Sequence, residues 1–181
     1  WTRQQPQQME RQVIWEWLPT GLIMMDSLTP MGRGQSMLLV SSEMSEMRNI
    51  TQMVSSHLER SNINITTIHA DLSNTNNINH VDMVVQANGK DTEVSALLAA
   101  HTACTVGENL RDCSKGDEGH VLVLLDDLSP LRRLWERAGN MIFANRGIND
   151  DTSTMEDLTE MRHYYSPLLQ RAACMSSNGT M

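Results

Sequence analysis

The chain has 181 residues, enough for one domain with a hydrophobic core, and 40% of them are hydrophobic while only 4% are aromatic. Aliphatic residues and the 14 methionines must therefore supply that core. The net charge of −8 argues against nucleic acid or an anionic membrane as the main partner, and no apolar run approaches the ~20 residues of a membrane span.

The first half of the chain contains a polar arm, a strand and an amphipathic helix. Residues 1–10 are polar and rich in glutamine, and we predict an N-terminal arm there. The apolar stretch "SMLLV" (36–40) predicts a buried strand. A helix is predicted from about 43 to 60, because apolar residues recur at three-to-four spacing at Met47, Ile50, Val54 and Leu58.

Strands and helices then alternate. "NITTIHA" (64–70) and "DMVVQA" (82–87) are predicted strands, separated by a polar loop rich in asparagine. A helix is predicted from 91 to about 110. "HVLVLL" (120–125) has the continuous apolar composition of a buried strand.

The last third of the chain carries helix signals. Ser129 as N-cap and Pro130 as first helical residue start one helix. A loop is predicted at 145–157, with a capping box that starts another helix at its end, and a last helix runs from Ser166 through Cys174. This alternation predicts an α/β domain with a largely parallel sheet covered by helices.

Four segments, in order, resemble the nucleotide-binding domain of the ATP synthase α subunit. "RQVIWEWLPTGLIMMDSLTPMGRGQ" (11–35) resembles the segment that enters this domain, and "HTACTVGENLRD" (101–112) resembles its G-C-S-M-G-E-Y-F-R-D helix. "VLVLLDDLS" (121–129) and "YYSPLLQRAACM" (164–175) resemble its L-I-I-Y-D-D-L-S strand and its L-H-S-R-L-L-E-R-A-A-K-M helix. The resemblance implies a RecA-like P-loop NTPase core.

This resemblance implies a domain organisation and a location. Residues 11–175 would form the α-like domain, and 176–181 a C-terminal tail. The family's α subunit has a further β-barrel and helical domain, so we expect a partial, truncated relative. The amino-acid sequences of the matched segments resemble the mitochondrial α subunit more than the chloroplast α subunit. The expected location is therefore the mitochondrion, on the matrix side and peripheral to the inner membrane.

The phosphate-binding loop departs from the family at every position that carries chemistry. The family has G-x-x-x-x-G-K-T after the strand at 36–40, and here the four roles fall on Ser41, Glu46, Met47 and Arg48. Glycines let backbone N–H groups close on phosphates, lysine supplies charge, and the hydroxyl holds Mg²⁺. We therefore predict a vestigial loop, no bound cofactor and no enzymatic activity.

Acidic residues in this loop oppose a polyanion. Two like charges 4 Å apart repel by ~1 kcal/mol in water and ~4 kcal/mol at an effective dielectric of 20, and Glu43 and Glu46 would lie beside the phosphates. The same residues also suit an ordinary helix start, with Ser42 as cap and both glutamates complementing the helix dipole. A divergent site that still binds nucleotide remains the alternative.

Other candidate site residues have a structural explanation beside the chemical one. Asp126 and Asp127 match the family's second acid motif, which holds Mg²⁺ through water, but aspartates at a strand end also orient the following turn. We expect them to be vestigial. His69 and His80 have no recognised ligand spacing, so no metal site is predicted.

Cysteine usage indicates a reducing compartment. The three cysteines form no C-x-x-C pair, and buried inert thiols are the expected state of Cys104 and Cys113.

A preserved domain core beside a lost phosphate loop predicts a structural role. We expect an accessory subunit of a large mitochondrial complex, such as the ATP synthase or a respiratory complex, bound to other protein subunits. Trp1, Trp15 and Trp17 suit docking, and three arginines after the second acid motif form either a solvated helix face or a contact surface: Arg132, Arg133 and Arg137. A regulatory module that binds adenine nucleotide without hydrolysing it is the alternative.

Overall fold

A computed structural model describes residues 11–61, 63–73, 79–88, 92–113, 119–146 and 165–172. Its elements, in chain order, are β1 (Trp17–Leu18), α1 (Ile23–Leu28), β2 (Met31–Gly32), α2 (Met44–Arg60), β3 (Ile65–Asp71), β4 (Met83–Gln86), α3 (Thr92–Cys113), β5 (His120–Leu125) and α4 (Ser129–Arg146). A short helical stretch follows at 165–169.

The central sheet has three parallel strands in the order β4-β3-β5. Ile68 in the middle strand pairs with Met83 of β4 and with Val123 of β5. The helices α3 and α4 follow strands β4 and β5, as in the crossover connections that parallel strands require. The prediction of an α/β fold with a parallel sheet is therefore confirmed for these strands.

One face of the sheet packs against α3 and α4. Ile68 and Ala70 of β3 point to this face together with Leu72, which follows the strand, and all three are completely or almost completely buried. The facing side of α3 is lined by small residues, which lets the helix approach the strands closely: Ala96, Ala99, Ala100 and Ala103. Each large aliphatic side chain buried here contributes about 1.5–3 kcal/mol to folding.

The opposite face packs against the C-terminal half of α2. Val54 and Leu58 of α2 form a second, smaller core with Ile65 of β3 and Leu122 of β5. The predicted apolar stripe of α2 is therefore present. Its first two members, Met47 and Ile50, are only half-buried because the N-terminal half of the helix contributes no residue to either core.

The prediction of a buried strand at 36–40 is wrong. These residues have no strand assignment, and Leu38 and Val40 are 64% and 84% exposed. The segment starts where the Ser36 hydroxyl donates a hydrogen bond to the carbonyl of Leu169, and it runs outside the sheet to the start of α2. An apolar run specifies a strand only where an adjacent edge pairs with it.

An antiparallel ribbon of β1 and β2 precedes the central sheet and was not predicted. The turn before α1 is organised by Asp26, whose carboxylate accepts hydrogen bonds from the N–H groups of Thr20 and Gly21. Gly21 has a φ of +76°, and a side chain there would collide with the ring of His57. The glycine therefore allows the ribbon to lie against α2.

Several predicted features differ slightly from the structure or lie outside it. Ser129 is the first residue of α4 and not its N-cap. The last helix, predicted from Ser166 through Cys174, is wrong at its end, because the chain is helical only at 165–169 and forms a turn at 170–171. Residues 145 and 146, predicted to be loop, still belong to α4. The arm at 1–10, the predicted capping box and the tail at 176–181 lie outside the described residues. The described helices include none that is long and apolar enough to cross a membrane.

Candidate functional site

The start of α2, where the family's phosphate loop would lie, is closed by contacts within the chain. The Ser41 hydroxyl donates a hydrogen bond of 2.8 Å to the Glu46 carboxylate and accepts one of 3.1 Å from the Glu43 N–H. Glu43 is the N-cap residue and makes no side-chain capping bond. The prediction that Ser42 caps the helix is therefore wrong, and Ser41 organises the helix entry in its place.

This arrangement places a carboxylate where an anion would bind. The N-terminus of a helix carries unpaired N–H groups and a partial positive charge, which favour an anionic ligand. Here Glu46 lies in the first turn of α2, and its carboxylate is held by Ser41 at the entry to that turn. Glu46 therefore adds a negative charge at the start of α2, where the helix itself would favour an anion.

Met47 and Arg48 occupy the positions that the resemblance assigns to lysine and threonine. Both are half-buried in α2, and the Thr51 hydroxyl donates hydrogen bonds to their carbonyl oxygens. The Arg48 Nε is buried without a hydrogen-bond partner in the described part of the chain. Neither side chain supplies the ammonium group or the short hydroxyl that phosphate and Mg²⁺ binding require.

Asp126 orients the loops that leave two neighbouring strands. Its carboxylate accepts hydrogen bonds from the backbone N–H groups of Leu72 and Asp127, at 2.9 and 2.7 Å, and from the Ser73 hydroxyl at 3.1 Å. Burial raises the pKa of Asp126, while these hydrogen bonds act in the opposite direction. The oxygens that a metal would use are therefore engaged with the protein itself.

Asp127 has a similar local role. Its carboxylate accepts a hydrogen bond of 2.8 Å from the N–H of Ser129, the first residue of α4. It thereby satisfies one of the free donors at this helix start. Both aspartates make the turn-orienting contacts that sequence analysis gave as the alternative to Mg²⁺ binding.

A row of buried polar side chains on β3 was missed by sequence analysis. Thr67, His69 and Asp71 alternate with the apolar residues of the main core and point to the other face of the sheet. The backbone N–H and hydroxyl of Thr67 donate to Asp82, and Gln86 donates to Asp71 at 3.3 Å. The period-two spacing of polar residues in an otherwise apolar strand was the available signal.

His69 and His80 have different surroundings in the described part of the chain. His69 is 3% exposed, and neither ring nitrogen has a hydrogen-bond partner among the described residues. His80 instead bonds to Glu59 at 2.6 Å at the end of α2. The described part of the chain contains no group of three or more metal-binding side chains with suitable geometry.

The arginines of α4 form ion pairs within the chain. Arg132 pairs with Glu136 one turn later, and Arg133 and Arg137 both pair with Glu93 at the start of α3. These contacts join two helices, and the three guanidinium groups share two carboxylates. The pairs are compatible with both alternatives given for this helix face.

The surface around the β1–β2 ribbon is apolar. Trp15 and Trp17 are 76% and 55% exposed, and α1 contains no buried residue. The exposed apolar side chains of this surface, named here the ribbon surface, are Val13, Trp15, Trp17, Ile23, Met24 and Leu28. Among its charged groups, Glu16 pairs with Arg33 at 2.7 Å, and the Asp26 carboxylate accepts hydrogen bonds from the turn beside it.

The chain is distantly similar to ATP synthase α subunits. It is 30% identical over 141 residues to the mitochondrial α subunit of Dictyostelium citrinum, covering 70% of this chain and 26% of that protein. It is 27% identical over 137 residues to the α subunit of Aquifex aeolicus, covering 68% and 26%. The α subunit of Baumannia cicadellinicola is 25% identical over 186 aligned positions, covering 96% and 34%.

These similarities cover only part of the relatives. The chain spans between a quarter and a third of the length of the curated α subunits it matches, with shares of 26%, 26% and 34%. No family model matches the chain. The described fold is an α/β domain with a parallel three-stranded sheet.

Proposed function

We propose that this protein is a non-catalytic structural subunit of a multiprotein assembly in the mitochondrion, on the matrix side of the inner membrane, and that its α-like domain no longer binds nucleotide. The location is proposed from the similarity to a mitochondrial α subunit. The observation that carries the proposal is the start of α2, where the Ser41–Glu46 hydrogen bond holds a carboxylate at the helix end. The residues at the lysine and threonine positions, Met47 and Arg48, support it.

The ribbon surface supports the assembly role. Large apolar patches on a protein surface mark contacts with other proteins, and aromatic residues are enriched at the centres of such contacts. Six large apolar side chains exposed within residues 13–28 would be shielded from water by a partner subunit. An apolar surface on a chain of net charge −8 favours an apolar protein surface over an anionic membrane.

Calorimetric titration with Mg-ATP and Mg-ADP at millimolar concentration tests the loss of nucleotide binding. We expect no binding heat and no shift in melting temperature for the wild-type protein. A variant with Glu46→Gly, Met47→Lys and Arg48→Thr is the matched comparison, because it removes the carboxylate and restores the two missing side chains. Saturable tight binding by the wild-type chain would refute the proposal and favour the regulatory nucleotide-binding module.

Native gel electrophoresis of gently solubilised mitochondria tests the assembly role. The protein should migrate with a large complex, and the double substitution Trp15→Ser with Trp17→Ser should release it as free subunit. Leu98→Ser is the control, since Leu98 is 62% exposed on α3, away from the ribbon surface. Migration of the wild-type protein as a free monomer would contradict the proposed role.

A further inference from the structure

Strand β5 has the composition of an interior strand but lies at an edge of the sheet. Its residues 121–125 are Val-Leu-Val-Leu-Leu, a continuous apolar run of the kind found in strands that have neighbours on both sides. Among the described residues its only strand neighbour is β3, and Leu122 to Leu125 remain partly exposed. Within the described residues, the outer side of β5 is therefore an apolar edge that pairs with no other strand.

The main-chain groups of this edge can be assigned from the register. The Asp126 N–H donates to the carbonyl of Ala70, so even-numbered residues of β5 direct their N–H groups toward β3. Because the direction alternates along a strand, the N–H groups of Val121, Val123 and Leu125 face the outer edge. An added strand would find its hydrogen-bonding partners there.

The same chain carries an exposed segment that suits this edge. Residues 37–40, Met-Leu-Leu-Val, are apolar and have no strand or helix assignment. Leu38, Leu39 and Val40 are 64%, 36% and 84% exposed. Three consecutive large aliphatic side chains in water are unfavourable by about 25 cal/mol per Å² of apolar surface, and a strand with apolar residues on both faces is suited to the interior of a parallel sheet.

We propose that the outer edge of β5 binds residues 37–40 of a second copy of this chain, and that reciprocal exchange of the two segments closes a symmetric dimer. Neither the edge nor the segment contains a charged residue, so the pairing brings no like charges into contact. Reciprocal exchange satisfies both edges and closes the assembly, whereas one-way addition would continue into a filament. The proposal does not depend on the loss of nucleotide binding or on the ribbon surface.

Sedimentation equilibrium of the purified protein, combined with hydrogen exchange, tests this dimer. We expect a monomer–dimer equilibrium in which the amides at 37–40 become protected only at concentrations where the dimer forms. Higher salt should strengthen the dimer, since each copy carries a net charge of −8.

Two variants and a control separate the edge from the rest of the surface. Leu38→Lys with Val40→Lys places charges on the exposed segment and should weaken dimerisation by about tenfold or more. Val123→Pro removes an outer N–H without removing a bond to β3 and should have the same effect. Leu98→Lys alters an exposed leucine of α3 and should leave the dimer unchanged.

Three outcomes would overturn the proposal. The first is a monomer at every concentration. The second is a dimer that persists unchanged in the doubly substituted Leu38 and Val40 variant, whose sites are exposed in the monomer and dispensable for its core. The third is protection of residues 37–40 that does not depend on concentration, because it would show that the edge is filled within one chain. The double variant keeps the test decisive if Val123→Pro fails to fold.

Discussion

Arg171 forms a buried, bidentate ion pair with Glu108 of α3. The two guanidinium-to-carboxylate distances are 2.7 and 2.6 Å, and the residues are 4% and 3% exposed. Further contacts join Arg171 to Thr105 and to the carbonyl of His101. The hydrogen bond to Glu108 raises the pKa of Arg171, so the group stays charged. This network holds Arg171, which follows the short helical stretch at 165–169, against helix α3.

Arg171→Leu should lower the free energy of unfolding by about 3–5 kcal/mol, because it leaves the Glu108 carboxylate buried without its counter-charge. The double variant Arg171→Leu with Glu108→Leu should recover much of this loss. Arg132→Leu breaks an exposed pair with Glu136 and should change stability by roughly 0–1 kcal/mol. Urea denaturation measures all three. Equal effects of Arg171→Leu and Arg132→Leu would show that the buried pair does not stabilise the fold.

The two described cysteines differ in reactivity. Burial raises the pKa of Cys104 to about 11, whereas Cys113 is exposed at the end of α3, so the expectation of two buried thiols is wrong for Cys113. Since the thiolate is the reactive form, iodoacetamide at about pH 8 should alkylate Cys113 much faster than Cys104 in the folded protein. Peptide mass mapping reads each site separately. In the denatured protein both cysteines should be alkylated at similar rates. Similar alkylation rates in the folded protein as well would contradict the burial of Cys104.

At the scale of elements, the two halves of helix α2 have different surroundings. Its C-terminal half packs on the sheet through Val54 and Leu58, while its N-terminal half carries the closed helix start of Ser41 and Glu46. The bounds of α2 and β5 were predictable because a period of 3.6 and a continuous apolar run are local signals. The exposure of residues 36–40 was not predictable. Their composition is typical of a strand, but a strand forms only if a distant segment supplies an edge for pairing.

Leu58→Ala should reduce the free energy of unfolding by about 2–5 kcal/mol, because Leu58 is 2% exposed in the core between α2 and the sheet. Met53→Ala is the matched control on the same helix, with a side chain that is 56% exposed, and should change stability by about 0.5 kcal/mol or less. Denaturation curves of both variants at one pH compare them directly. A small effect of Leu58→Ala would indicate that α2 is not anchored on the sheet.

For the whole molecule, the buried His69 and the half-buried His101 couple stability to pH. Burial lowers the pKa of His69 below its ordinary 6.5, with Asp71 acting in the opposite direction, and burial together with the charge of Arg171 lowers the pKa of His101. The folded state therefore binds these protons less readily than the unfolded state. The resulting stability is fully present above about pH 6.5 and is lost as the pH falls through that value toward the folded-state pKa.

His69→Leu should flatten the pH dependence of stability between about pH 7.5 and pH 5.5, because it removes one proton that only the unfolded state takes up readily. The measurement is the free energy of unfolding at several pH values, and the slope is compared because the substitution also changes packing. Some slope should remain from His101. An unchanged slope would mean that His69 is not the titrating group.

The sequence by itself determined the local elements and the chemistry of the loop. Alternation of apolar runs with amphipathic periods predicted β3, β4, β5 and the helices α3 and α4 that follow, and the residues at 41–48 suggested a phosphate loop without its lysine and glycines. Both are properties of a few adjacent residues, so neighbours along the chain carry all the information.

Only the tertiary structure decided how distant residues meet. It paired Arg171 with Glu108 across 63 positions, joined Asp126 to the N–H of Leu72 across 54, and left residues 37–40 outside the sheet. A pattern of apolar residues indicates that a segment packs against another segment, but it does not identify that segment. Contacts between remote segments depend on the packing of the whole domain, so they cannot be predicted from local patterns in the sequence.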